Sequence, residues 1–120
     1  MEATRELARE TWAEYFDALS KELLNEPVSV EIIGAPGPPL MEASHLALLA
    51  LTYDRRDDVF EIAAVRGGPH LPSVLRHLVA HPARIEVDSQ TMLAPMTIAV
   101  EGPDQVRTVI TIEHEPEITG

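Results

Sequence analysis

The sequence predicts an α+β fold in which an N-terminal amphipathic helix packs on a mainly antiparallel sheet or small barrel, in the order helix, three strands, short helix, three strands. Two patterns support this prediction. Apolar residues recur every three or four positions near the N-terminus, and they alternate with polar residues in several later segments. The 120 residues, 45% of them hydrophobic, correspond to a single α+β domain, 1–120.

The first helix is predicted to run from about Thr4 or Ala8 to Leu24. Pro27 lies shortly beyond, and proline disfavours helical backbone in the residue before it. The apolar stripe of this helix consists of Trp12, Phe16, Leu19 and Leu23. Aromatic residues at this spacing predict core packing rather than a ligand-stacking surface.

Alternating apolar and polar residues, together with short apolar segments bounded by turn residues, predict six strands. Segment 41–51 is rich in Ala and Leu and is also compatible with a short helix, but its last residues lead directly into Thr52-Tyr53, which favours a strand. The predicted strands are 28–32, 46–53, 59–63, 85–87, 97–100 and 106–112.

A second, short helix is predicted over residues 72–79. Pro72 suits a first helical turn, and Pro82 lies just beyond the segment. Val74 or Leu75, together with Leu78 and Val79, would give this helix one apolar face.

The charge balance excludes two classes of partner. The chain has 9 basic and 20 acidic residues and a formal net charge of −11. Nucleic acids and anionic membranes both bind clustered Lys and Arg. We therefore expect a protein partner or a second copy, with no nucleic acid and no membrane.

Cysteine is absent, which removes disulfides, thiolate nucleophiles and Cys-based metal sites. The N-terminus lacks the basic and apolar regions of a secretory signal. The longest apolar run, Leu46 to Leu51, is far shorter than the ~20 residues that span a bilayer. These features predict a cytoplasmic protein.

Three histidines form the candidate metal site. His77 and His81 are four residues apart and would share one face of a helix, with His70 as a third ligand. However, His81 immediately precedes Pro82, which disfavours helical backbone where that geometry requires it. The sequence predicts no cofactor beyond this metal alternative.

Residues for covalent or acid–base catalysis are not evident. No serine lies in a G-x-S-x-G turn. Asp54, Asp57 and Asp58 surround Arg55-Arg56 without the glycine and distal glutamate of a calcium loop. We interpret this segment as a solvated hairpin turn, and no catalytic residue is predicted.

The order of residues resembles an uncharacterised bacterial family of small domains of unknown function. The resemblance spans nearly the whole chain, and Ala50 departs from it where many relatives have glycine. It implies no activity, so no functional residue is assigned through it. The matching positions are Trp12 and Phe16; Val30-Glu31 and Gly34; Glu42-Ala43 with Leu46; Asp54; Glu61-Ile62; and His77-Leu78-x-x-His81-Pro82-x-x-Ile85.

The sequence favours a non-enzymatic protein-interaction module that forms a homodimer. Segment 46–51 is apolar on more than one face, which a small sheet would have difficulty covering by itself. The first helix and an exposed sheet edge are the candidate surfaces. The alternative is a small-ligand or metal-binding domain, possibly an enzyme, that uses His70, His77 and His81.

Overall fold

The computed structural model describes residues 4–34, 40–66, 73–89 and 96–113, which contain one α-helix and eight β-strands. The predicted α+β class, with a helix packed on an antiparallel sheet, is confirmed. The helix is α1 (Trp12–Glu22), and the strands are β1 (Thr4–Glu6), β2 (Pro27–Ile33), β3 (Leu40–Asp54), β4 (Val59–Arg66), β5 (Ser73–Ala80), β6 (Arg84–Ser89), β7 (Met96–Glu101) and β8 (Arg107–Ile112). Short 3₁₀ turns precede α1 (Arg9–Thr11) and join β7 to β8 (Pro103–Gln105).

The eight strands form a single antiparallel sheet in the order β1-β6-β7-β8-β2-β3-β4-β5. β5 is the last strand in this order and β6 is the second, yet only three residues, 81–83, separate them along the chain. The four Cα–Cα steps from Ala80, the last residue of β5, to Arg84, the first residue of β6, span at most about 14 Å. The sheet therefore curls until its two ends come close together.

The concave face of the curled sheet carries the core. Along β4, Phe60, Ile62 and Ala64 are buried while the residues between them are not, as the two-residue period of a strand requires. Ile98 and Ile110 continue this buried layer on β7 and β8. The other segments that alternate in sequence, 28–32, 59–63, 85–87, 97–100 and 106–112, all lie in strands or reach into them, as predicted.

Helix α1 packs on this core through its aromatic residues. The ring centroids of Trp12 and Tyr53 lie 5.0 Å apart at 90°, and those of Phe16 and Phe60 lie 5.1 Å apart. Edge-to-face pairs of this kind add to the free energy gained from burial alone. Trp12 and Phe16 are buried, so their predicted core role is confirmed.

Segment 46–53 is a strand, as favoured from the sequence, and it contains a β-bulge between Leu48 and Ala50. The extra residue shifts the alternation, so Leu48 and Leu51 are both buried. The hydroxyl of Ser20 on α1 accepts a hydrogen bond from the Leu51 N–H and donates one to the Leu51 carbonyl, each 2.8 Å long. The helix thus satisfies backbone groups of β3 that lie beyond Pro27↔Ala47, where the pairing with β2 ends.

The apolar segment 46–51 is consequently not an uncovered face. Leu46, Leu48 and Leu51 are at most 1% exposed, Ala47 and Ala50 are partly exposed, and Leu49 is 36% exposed. The sequence argument that self-association is needed to cover this strand was wrong, because α1 and the curl of the sheet bury it.

Of the two predicted starts of the first helix, Thr4 was wrong, whereas Ala8 directly precedes the 3₁₀ turn Arg9–Thr11 that leads into α1. Thr4–Glu6 form β1, which pairs with β6, and the helix extends only from Trp12 to Glu22. Leu7 continues this attachment by donating its N–H to the Ile85 carbonyl. Pairing with the sheet edge overrides the helical pattern here, since local propensity is weaker than tertiary contact.

The predicted short helix over 72–79 was wrong as well, because Ser73–Ala80 form strand β5. β5 pairs with β4 without interruption, from Val59↔Ala80 to Arg66↔Ser73. The observed order therefore has a strand between the first three predicted strands and the last three. An eight-residue segment of mixed polarity fits both periods, and here the neighbouring strand decided between them.

Candidate functional site

Strand β5 has a free edge in the described structure. It lies at the end of the strand order, and its only described strand partner is β4. The His81 N–H donates to the Asp58 carbonyl at 2.7 Å. Antiparallel hydrogen bonding alternates from residue to residue, so the backbone groups of odd-numbered residues along β5 point to β4. Those of residues 74, 76, 78 and 80 point to the free edge.

The same even-numbered residues carry the outward-facing side chains of β5. Val74 is 59% exposed and Leu78 is 56% exposed, whereas the odd-numbered Val79 is buried in the core. Between the two exposed apolar residues, Arg76 forms an ion pair with Glu61 of β4. The exposed side of this edge is thus apolar at two positions, with one charge that is already paired.

A pocket of about 220 Å³, which we call the β5 pocket, borders this edge. Its wall includes four consecutive residues of β5, 77–80. Side chains alternate between faces along a strand, so a pocket that contacts four in a row must lie beside the strand. The remaining lining residues come from β2, β8 and the β7–β8 connection: Ile32, Gly102, Pro103, Val106 and Thr108.

A polar pair lies in the β5 pocket. Nε2 of His77 and Oγ1 of Thr108 are 3.2 Å apart, joining β5 to β8 across the curled sheet. Thr108 is 3% exposed and His77 is half-buried. A threonine hydroxyl can donate one hydrogen bond and accept two, so this contact leaves it further hydrogen-bonding capacity.

A second polar group, the Arg9 cluster (Arg9, Tyr53, Asp58 and His81), lies where the two ends of the sheet meet. The Tyr53 hydroxyl donates to Oδ1 of Asp58 at 2.5 Å, and Nδ1 of His81 lies 3.1 Å from Oδ2. Arg9 donates to the Tyr53 hydroxyl, to Asp58 and, at 2.9 Å, to the Pro82 carbonyl. The cluster joins the β3–β4 turn, the β5–β6 connection and the segment before α1.

The Arg9 cluster perturbs its own titratable groups. The hydrogen bonds from Tyr53 and His81, with the Arg9 guanidinium nearby, hold the pKa of the Asp58 carboxyl below its ordinary value. Burial, followed by the hydrogen bond to Asp58, raises the pKa of the Tyr53 hydroxyl. Asp58 and His81 have φ angles of 54° and 52°, a left-handed conformation in which Asp and His are enriched among non-glycine residues.

An open pocket of about 340 Å³ adjoins the cluster and is lined by Arg9, Glu10, Tyr53 and Arg55. Its charged residues are of both signs, so it presents no uniform field for an anion or a cation. In the neighbouring turn, Oδ1 of Asp54 accepts hydrogen bonds from the N–H groups of Arg56 and Asp57. Asp54 thus has the turn role that the sequence suggested.

The structure does not bring the predicted histidines together. His77 contacts Thr108 in the β5 pocket, His81 contacts Asp58 in the Arg9 cluster, and His70 lies outside the described residues. His77 and His81 are four positions apart, which on extended backbone is about 13 Å. Within the described ranges, no group of three His, Asp or Glu residues is arranged to hold a metal ion. A metal site that includes His70 stays a prediction.

Several residues of these two sites were missed from the sequence. Thr108 and Arg9 lie 31 and 44 positions from their partners His77 and Tyr53, and no local pattern marks such pairs. The one available signal was Gly102-Pro103, a residue pair typical of turns that lies between the predicted strands 97–100 and 106–112 and forms part of the pocket wall.

Comparison with known proteins yields a family but no activity. A family model described as "Family of unknown function (DUF5335)" matches residues 3–118. An "Uncharacterized protein" of Aquifex aeolicus (strain VF5) is 35% identical over 88 residues, which is 73% of this chain and 73% of that protein. No solved structure matches the chain. Among the described residues, no helix is both long and apolar enough to cross a membrane.

Proposed function

This chain belongs to the DUF5335 family of unknown function, and we propose that it is a non-enzymatic protein-interaction module that self-associates through the free edge of β5. One observation carries the proposal. The edge combines outward-pointing backbone groups with two exposed apolar side chains, Val74 and Leu78. Such an edge is a template for pairing with another strand.

Within the described residues, β5 lacks the sequence features that commonly prevent such pairing. Edge strands are commonly protected by Lys, Pro, bulges or inward-pointing charges. β5 reads SVLRHLVA, contains none of Lys, Pro, Asp or Glu, and pairs with β4 without a bulge. Its only Arg, Arg76, is paired with Glu61.

A second copy fits this edge by symmetry. A two-fold axis at Arg76 places Val74 of each copy opposite Leu78 of the other, and cross-strand apolar pairs stabilise sheets. Residues 74, 76 and 78 all direct their backbone groups outward, so the three resulting residue pairs can exchange about six hydrogen bonds. The two Arg76 residues face each other, and the Glu61 beside each one offsets their like charge.

We place this module in the cytoplasm, which the cysteine-free, acidic composition supports. No described contact favours the metal-binding alternative over self-association, because His77 and His81 have separate partners.

The experiment is sedimentation velocity over a range of micromolar concentrations. We expect the wild-type protein to dimerise and Val74→Lys/Leu78→Lys to sediment as a monomer, because lysine at an edge opposes strand pairing. Leu24→Lys is the matched control, since Leu24 is 53% exposed but lies beyond α1, outside β5. The control should dimerise like the wild type.

Circular dichroism should show that all three proteins are folded. A wild-type protein that remains monomeric at high micromolar concentration would overturn the proposal. If the Val74→Lys/Leu78→Lys variant dimerises as well as the wild type, the interface lies elsewhere, and the proposal is overturned as well.

A further inference from the structure

We propose that the β5 pocket is a binding site for a small uncharged molecule that combines a hydrocarbon ring or chain with one hydrogen-bonding group. This site adjoins the self-association edge and shares Leu78 with it, whereas Val74 and Arg76 of that edge do not line the pocket. Three features of the pocket support this proposal: its size, its polar pair and the lack of charged side chains among its described lining residues.

The size of the pocket limits the ligand. A cavity of roughly 150 Å³ lined by apolar side chains holds benzene, so the volume of about 220 Å³ fits a ring with one substituent. Pockets for drug-sized ligands are larger, at about 300–1,000 Å³. The apolar walls include Ile32, Val79 and Val106.

The polar pair fixes one end of the ligand. His77 and Thr108 already contact each other at 3.2 Å, which holds the hydroxyl of the almost fully buried Thr108 in place. That hydroxyl retains capacity for a second partner. A carbonyl, amide or hydroxyl group of the ligand can occupy this position. The free backbone groups of Ala80, which the proposed strand pairing does not use, lie at the same wall and offer a further donor and acceptor.

The absence of charge on the described walls selects against ionic ligands. None of the nine described lining residues is Asp, Glu, Lys or Arg, although such residues make up 24% of the chain. Burying a charge without a partner is costly. The pocket therefore discriminates between neutral molecules and ions of the same shape.

Two matched pairs of probes test this selectivity by NMR titration of the labelled protein. Benzamide is compared with benzoate, and cyclohexanol with cyclohexylammonium, because each pair differs in charge at nearly constant shape. We expect saturable chemical-shift changes at His77 and Thr108 for the two neutral probes. Toluene lacks a polar group, so its affinity measures the contribution of the apolar walls to binding.

Two variants, Ala80→Leu and its control Ala83→Leu, test where the ligand binds, and a third tests its hydrogen bond. Ala80→Leu fills the pocket from its exposed rim and should abolish binding, whereas Ala83→Leu is an equally exposed change outside the pocket and should leave binding intact. Thr108→Val keeps the shape but removes the hydroxyl. This variant should bind benzamide about tenfold more weakly, which corresponds to the loss of one hydrogen bond. Its affinity for toluene should be unchanged.

The proposal is overturned if no neutral probe binds, if the charged probes bind equally well, or if Ala80→Leu binds like the wild type. A Val74→Lys variant separates this site from self-association. Its β5 pocket is intact, so it should bind benzamide like the wild type even if it is monomeric. Loss of binding in Val74→Lys would assign the signal to the dimer edge and would also overturn the proposal.

Discussion

Asp58 is the residue on which the Arg9 cluster depends. Its two carboxylate oxygens accept hydrogen bonds from Tyr53 and Arg9 and contact His81, while its own carbonyl accepts from the His81 N–H. One side chain and one peptide group thus hold the β3–β4 turn against the β5–β6 connection. Hydrogen bonds to a charged group are among the stronger ones in proteins.

We expect Asp58→Asn to reduce stability at neutral pH and to change its pH dependence. The folded-state pKa of Asp58 lies below its ordinary value of about 3.9. The contribution of its charge to the free energy of unfolding is therefore complete above that ordinary value, and it is lost as the pH falls toward the folded-state pKa. Urea unfolding midpoints from neutral pH to about pH 3 should fall more steeply for the wild type than for the variant.

Asparagine is the appropriate replacement, because it tolerates the left-handed φ of 54° at this position. Other carboxylates titrate in both proteins, so the difference between the two profiles isolates Asp58. Parallel profiles would show that the cluster contributes no pH-dependent stability.

At the scale of elements, β5 shows how one eight-residue segment can satisfy two patterns. Val74, Leu75, Leu78 and Val79 would give a helix an apolar face, yet in the strand they alternate between the exposed edge and the core. The alternation also determines which backbone groups are free. Odd-numbered residues bond to β4, and even-numbered residues point outward.

Proline substitution tests this alternation directly. At protein concentrations too low for dimerisation, we expect Val74→Pro to cost little stability, because the N–H that it removes faces the free edge, where proline is tolerated. Leu75→Pro should cost about 1–3 kcal/mol more, since it removes a ladder hydrogen bond and leaves the carbonyl of its β4 partner unpaired. Leu75→Ala measures the loss of the leucine side chain separately, and chemical denaturation provides the free energies. Equal costs at positions 74 and 75 would contradict the assigned alternation.

At the scale of the whole molecule, the net charge of −11 acts on self-association. Two copies repel each other through their overall charge, whereas the β5 edge itself carries only the paired Arg76. The Debye length is about 8 Å at physiological ionic strength and about 3 Å at 1 M. Added salt therefore screens the repulsion between the copies without removing the apolar contacts.

We expect the dimer to become tighter as sodium chloride is raised from low to physiological concentration. Sedimentation equilibrium at two ionic strengths measures the change. A dimer that weakens with salt would instead indicate an interface held by ion pairs between the copies, which is incompatible with pairing through the β5 edge.

The sequence by itself determined the α+β class, the aromatic core of α1 and five of the six predicted strands, whereas for 46–53 it left a short helix open and the pairing of β3 with β4 decided for a strand. These features depend on local periodicity, which a short segment carries within itself. The tertiary structure decided β1 and β5, because both segments become strands only through pairing with β6 and β4. It also decided both candidate sites. The partners of His77, His81 and Arg9 are distant along the chain, and the curl of the sheet is what brings them into contact.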